Sequence, residues 1–177
     1  MFTAAAVAQS PVFVLSPQGF QSTADPSQDY VVLEGHGDQQ ATYSSALRYL
    51  HTLYRNPDEA LSTVDGEMIT INGFSENAIH RNGMHVFDMN YTVTLRFKDG
   101  RMRMDAPSFK LTTYGSNGSQ ELHLVWTGWS LGGDDLGIYG KNEKLKSDRA
   151  KEDLESYFND FAADLQQGLT ETASSDW

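Results

Sequence analysis

The chain contains no cysteine. Disulfides, thiol nucleophiles and thiolate metal sites are therefore excluded. The compartment stays open, because a chain without cysteine suits an oxidising space as well as a reducing one. No apolar run approaches the ~20 residues that a membrane-spanning helix needs. Basic residues are scarce: 13 Lys and Arg stand against 24 Asp and Glu, for a formal net charge of −11. This balance favours solubility and opposes nonspecific attraction to nucleic acid or anionic lipid. No serine sits in a G-x-S-x-G setting, so a nucleophile elbow is missing. "SLGGDD" is not followed by Gly-Lys-Ser/Thr, so there is no phosphate-binding P-loop. No internal repeat or low-complexity tract is found.

What is present suits a folded domain. Of 177 residues, 39% are apolar and 21% charged, which are ordinary values for a globular protein. Residues 1–28, rich in Gln, Ser, Pro and Ala, read as an N-terminal tail or arm with one short apolar run, Val12 to Leu15. Within it, Ala6 and Ala8 have the small-x-small spacing of a signal-peptidase site, which two readings fit equally: the remnant of a signal peptide, or an alanine-rich disordered start with no such role. The domain is expected over 29–169, with a C-terminal tail at 170–177.

"YTVTLRFKDGRMRMDA", from Tyr91 to Ala106, predicts a hairpin. Apolar residues alternate on both sides of Asp99-Gly100, a dipeptide suited to the positive φ angles of a type I′ turn. The register pairs Phe97 with Met102, Leu95 with Met104 and Val93 with Ala106 on one face. The other face carries Arg96, Lys98, Arg101 and Arg103. "DYVVLEG" predicts a strand over Tyr30 to Glu34. "ATYSSALRYLHTLYRNP" predicts a helix with Tyr43, Ala46, Leu47, Leu50, Leu53 and Tyr54 in one stripe. "LSTVDGEMITINGFS" predicts two short strands about Asp65-Gly66, "ENAIHRNGMH" a loop, and "ELHLVW" a further strand. "TGWSLGGDDLGIYGKNEK" reads as an irregular loop.

The last element is a helix capped by Ser147, with Leu154, Tyr157, Phe158, Phe161, Ala162 and Leu165 on one face and Gly168 as its C-terminal cap. The hairpin's apolar face is the expected seat for it. The predicted core holds Leu47, Leu50, Val93, Leu95, Phe97, Met102, Leu154, Phe158, Phe161 and Leu165. The order strand, helix, four or five antiparallel strands, helix defines an α+β domain: a curved antiparallel β-sheet with both helices on one face.

"DYVVLEG", "RNPDEALSTVDGEMITINGF", "FDMNYTVTLRFKDGRMRM", "PSF" and "GIYGKNEKLK" resemble a family of uncharacterised secreted or envelope proteins of Bacteroides-type bacteria. It is a domain of unknown function with a TBP-like fold, and the similarity runs over roughly residues 29 to 168. The resemblance implies the fold and a secreted, periplasmic or cell-envelope location. A cytoplasmic one is equally compatible with the composition. It implies no catalytic or binding residues.

Candidate sites are weak in pattern. His80, His85 and Asp88 in "HRNGMHVFD" could serve a hydrolase or hold a metal only if they converged, with His123 joining if its strand lay alongside. Asp134 and Asp135 fall far short of a six-oxygen cation site. No catalytic residue, metal or cofactor is assigned on this basis. The basic residues Arg96, Lys98, Arg101 and Arg103 would suit an acidic peptide, protein or glycan. Nucleic acid is disfavoured, since their face carries threonines where aromatic platforms would be needed. Trp126, Trp129 and Tyr139 could form an aromatic shelf for a glycan or peptide. The leading expectation is a noncatalytic binding module. A metal-dependent enzyme using His80, His85 and Asp88, and a structural or oligomerisation domain, are the alternatives.

Overall fold

The structure, a computed structural model, describes residues 12–115, 118–128 and 136–174. The Asp99-Gly100 turn forms as its chemistry dictates: both residues take positive φ, 49° and 70°, joining β6 (Val86–Lys98) to β7 (Arg101–Asp105). Leu95 pairs with Met104 and Phe97 with Met102. The straight ladder stops there. Val93 and Thr94 face three residues, Asp105, Ala106 and Pro107, before pairing resumes with Thr92 opposite Ser108 of β8 (Ser108–Gly115). The expected pairing of Val93 with Ala106 gives way to this bulge, which accommodates a proline that cannot donate to a ladder.

β6 is the spine of an eight-stranded sheet. Along one side runs β5 (Met68–His80), itself flanked over its first residues by β4 (Leu61–Val64). Along the other side lie β7 and β8. Outside them are β3 (Tyr30–Glu34), paired with β7, and β9 (Gly118–Val125), paired with β8. β10 (Gly137–Tyr139) adds in parallel to β9. Two expected loops are therefore partly strand: β5 runs to His80 through a bulge between Ser75 and Ile79, and "GIY" forms β10. Among the described residues, seven strands, not four or five, separate the two long helices, with a short α2 (Pro57–Ala60) before the first of them.

α1 (Gln39–Leu53) and α3 (Asp148–Ser174) cover one face of the sheet. Each starts on a side-chain cap: Asp38 Oδ1 accepts from Ala41 N at 2.8 Å, and Ser147 Oγ accepts from Ala150 N at 3.2 Å. At the turn end of the β6–β7 hairpin it is α1 that lies on the apolar face, with Tyr43 edge-on to Phe97 at 5.3 Å, while α3 meets β6 further back, at Tyr91, through Tyr157 and Phe158. α3 packs on α1, β5, β10 and the N-terminal segment. It passes straight through Gly168, the expected cap, and continues to Ser174. Gly168 is small because the Tyr49 ring lies against it, where any Cβ would overlap the ring.

The segment expected as a loose arm holds a hairpin, β1 (Phe13–Ser16) and β2 (Gly19–Ser22). Phe13, Leu15 and Phe20 are buried, and Phe20 meets Phe158 edge-on at 5.2 Å. Of the predicted core, Leu50, Val93, Leu95, Phe97, Met102, Leu154, Phe158 and Leu165 are buried, while Leu47 and Phe161 pack half-buried at its margin. Among the described residues, no helix is long and apolar enough to cross a membrane.

Candidate functional site

At 100° per residue, the buried stripe of α3 has a polar shoulder on each side. One shoulder closes strand edges. Asn159 Oδ1 accepts from Val12 N and Phe13 N, Glu155 Oε1 accepts from Leu15 N, and Gln166 exchanges both amide bonds with Glu34. The other shoulder carries Tyr157, Asp160, Phe161 and Asp164. With Leu53, Tyr54 and Arg55 from the end of α1, Phe74 on β5 and Tyr91 on β6, they line a cleft of about 440 Å³, within the size range of ligand sites.

The cleft exists because of one residue in "ITINGFS". Gly73 pairs with Tyr91 across the sheet, and a Cβ there would collide with the Tyr91 ring. Without it, the phenol lies over β5 and its hydroxyl meets that of Tyr54 at 3.0 Å. Tyr157 stands edge-on to Tyr91 at 5.5 Å, and its hydroxyl interacts with Tyr91 and Ser75. Burial pushes the Tyr54, Tyr91 and Tyr157 phenols above the ordinary range, so all three are neutral near pH 7. At the mouth, Phe74 is 61% and Leu53 45% exposed, although an exposed ring of that size gains nothing from water. A glycine inside a strand signals close backbone or ring approach; that was the available cue, and sequence reasoning missed this cleft.

The residues singled out from sequence fall elsewhere. Arg96, Lys98, Arg101 and Arg103 share the outer face, away from both helices, as strand alternation requires. Asp105 bridges two of them, accepting from Arg96 Nε at 2.9 Å and Arg103 Nε at 2.6 Å. The Arg103 guanidinium also sits 3.8 Å above the Tyr30 ring. Among the described residues, Lys98 and Arg101 have no carboxylate within ion-pair distance. In the β3–β7 register Arg101 stands opposite Glu34 and Arg103 opposite Val32, which is 50% exposed.

The expected aromatic shelf does not assemble around Tyr139. That residue is buried, with its hydroxyl donating to Leu15 O at 2.7 Å. Burial, and the charge of Glu155, push its phenol up. Trp126 lies half-buried with its ring 5.3 Å from that of His123. Trp129, Asp134 and Asp135 lie outside the described residues.

His80, His85 and Asp88 do not converge. His80 Nδ1 pairs with Asp153 Oδ2 at 2.9 Å, His85 Nδ1 with Asn82 Oδ1 at 3.1 Å, and Asp88 Oδ1 accepts from Asn77 N at 2.8 Å. His123 stands on β9, separated from β5 by β6 and β8. Among the described residues, no three His, Asp or Glu side chains come together as a metal site would require.

No family model matches the chain, and no curated protein matches it. Two solved structures are similar. One is a TBP-like protein from Parabacteroides distasonis, 14% identical, covering 77% of this chain and 90% of its own, with a TM-score of 0.51. The other is a DUF4468 family protein from Bacteroides ovatus, 12% identical, covering 79% of this chain and 84% of its own, with a TM-score of 0.55. At such identity the likeness speaks for architecture alone. The chain has a TBP-like α+β fold, a curled, largely antiparallel sheet with its two long helices on one face.

Proposed function

We propose that the protein is a noncatalytic binding module for a protein, peptide or glycan partner, acting in the cell envelope or outside the cell. The observation that carries the binding role is the tyrosine cleft. It leaves Phe74 and Leu53 standing in solvent around a ring-lined floor, with Arg55 and Asp164 unpaired beside them among the described residues. An apolar centre with a charged rim is the anatomy of recognition surfaces. The envelope placement is supported by the family resemblance of residues 29 to 168 and by the spacing of Ala6 and Ala8.

The test is capture from an envelope extract of the source bacterium, identified by mass spectrometry, with three baits confirmed as folded by circular dichroism. Wild type is compared with Phe74→Arg, which blocks the cleft, and with Lys98→Glu plus Arg101→Glu, which reverses the unpaired part of the outer face. A partner retained by the outer-face variant and lost by Phe74→Arg is the expected result. A partner lost only by the outer-face variant would move the binding site to β6 and β7.

A further inference from the structure

We infer that the ligand of the tyrosine cleft is an extended peptide that inserts an aromatic or aliphatic side chain and carries a basic residue beside it. This rests on the reading of the cleft as a binding site and names the chemistry of its occupant. Three features of the cleft select that chemistry.

The first is how little hydrogen bonding the floor still offers. The three hydroxyls are joined in a chain, Tyr54 to Tyr91 at 3.0 Å and Tyr91 to Tyr157, with Ser75 engaging Tyr157 as well. What remains is mostly ring face and ring edge. A sugar ring needs a donor or acceptor for each hydroxyl it gives up to the protein, whereas a hydrophobic side chain needs only the rings.

The second is shape. Small-molecule sites bury most of their ligand, but here Phe74 and Leu53 stand exposed at the mouth. An open cleft of this kind receives a protrusion from something larger. About 440 Å³ accommodates one large side chain and part of its neighbours.

The third is charge. Asp160 and Asp164 lie one turn apart on α3 at the same lip, and like charges at this spacing repel. Asp160 accepts only from Ser156 Oγ, at 3.2 Å, and Asp164 has no partner among the described residues. A cation set between them relieves the repulsion and also gains from the phenol faces. Arg55 on the facing lip has donors for peptide carbonyls. The net charge of −11 draws a basic segment toward the surface as a whole.

The experiment uses the full chain and fluorescence anisotropy of a fluorescein-labelled peptide, Gly-Ser-Lys-Phe-Lys-Ser-Gly. Controls replace both Lys with Glu, or Phe with Ala. Saturable binding is expected for the Lys-Phe-Lys peptide alone, weakening as salt rises above ~0.15 M. Phe74→Ala, and separately Asp160→Asn with Asp164→Asn, should each weaken it about tenfold. All three positions are solvent-exposed, so these variants should keep the wild-type circular dichroism spectrum. Absence of saturable binding, equal binding of the Glu-Phe-Glu peptide, or displacement by cellotetraose would overturn the inference, the last in favour of a glycan. If the peptide fails while capture from extract still depends on Phe74, the peptide chemistry falls and the binding module stands.

Discussion

Asn159 holds Phe13 by both of its amide groups. Its Oδ1 accepts from Phe13 N at 2.8 Å, its Nδ2 donates to Phe13 O at 3.0 Å, and the same Oδ1 also takes Val12 N at 2.8 Å. A helix side chain thus does for β1 what a neighbouring strand would do, closing an edge that would otherwise be open for pairing. Gln166 treats Glu34 of β3 in the same way. Asn159→Ala leaves two half-buried N–H groups to find water, and should cost about 1–3 kcal/mol. The loss should appear as a lower urea midpoint, with faster hydrogen exchange at Phe13 than at Val93. Unchanged exchange at Phe13 would mean that Phe20 and Leu15 alone hold the hairpin.

Gly73→Ala tests how the cleft is made. The added methyl group meets the Tyr91 ring, so the phenol must swing out of position and give up its contact with Tyr54. Overpacking of this kind costs about 1–3 kcal/mol, opposed by a gain of under ~1 kcal/mol from removing a strand glycine. The expected result is net destabilisation with a changed near-ultraviolet circular dichroism band from the tyrosines. Adding Tyr91→Leu should recover part of the loss, because the two substitutions then share one space.

Phe158 is the joint between layers, since its ring meets Phe20, Tyr91 and Tyr157 edge-on at 5.2, 5.6 and 5.2 Å. Phe158→Ala should cost ~3–5 kcal/mol by equilibrium unfolding. A loss below ~1 kcal/mol would mean that the N-terminal hairpin and β6 do not depend on α3 for their packing.

Legibility in the sequence followed the range of the forces involved. The β6–β7 turn was readable because Asp99-Gly100 and the alternation around it are local, and Ser147 was readable as a cap for the same reason. The limits of α3 were not, because Gly168 has two uses. A glycine that ends a helix and one that admits a neighbouring ring look alike until Tyr49 is placed against it. The β1–β2 hairpin was hidden because it is held from afar by Asn159 and Glu155, and Val12 to Leu15 alone is too short an apolar run to identify a strand. The cleft was hidden for a related reason. Tyr54 and Tyr157 each read as the margin of an apolar helix stripe, and only the tertiary fold brings both phenols to Tyr91. Conversely, the basic residues of β6 and β7 were conspicuous as charge, and Asp105 falls on the same face by alternation, but that it bridges Arg96 and Arg103 shows only once the side chains are placed.

The three cleft phenols also give the fold a dependence on alkaline pH. Burial raises their pKa values in the folded protein above the ordinary value of 10.0, with Tyr91 and Tyr157 displaced furthest. Above pH ~10 the unfolded chain therefore binds fewer protons at these positions than the folded one. Stability changes with pH in proportion to the protons bound unfolded minus those bound folded. That difference is negative here, so the contribution is fully present below pH 10 and is lost as pH rises beyond it. The melting temperature should consequently be insensitive to these groups between pH 7 and 9 and should drop progressively from about pH 10 upward. Absorbance at 295 nm should show the phenolate signal of the cleft residues appearing together with unfolding. Tyr54→Phe should shrink the signal that appears with unfolding. Ionisation of the cleft phenols near pH 10, with no loss of melting temperature, would show that water reaches Tyr91 and that the cleft floor is open.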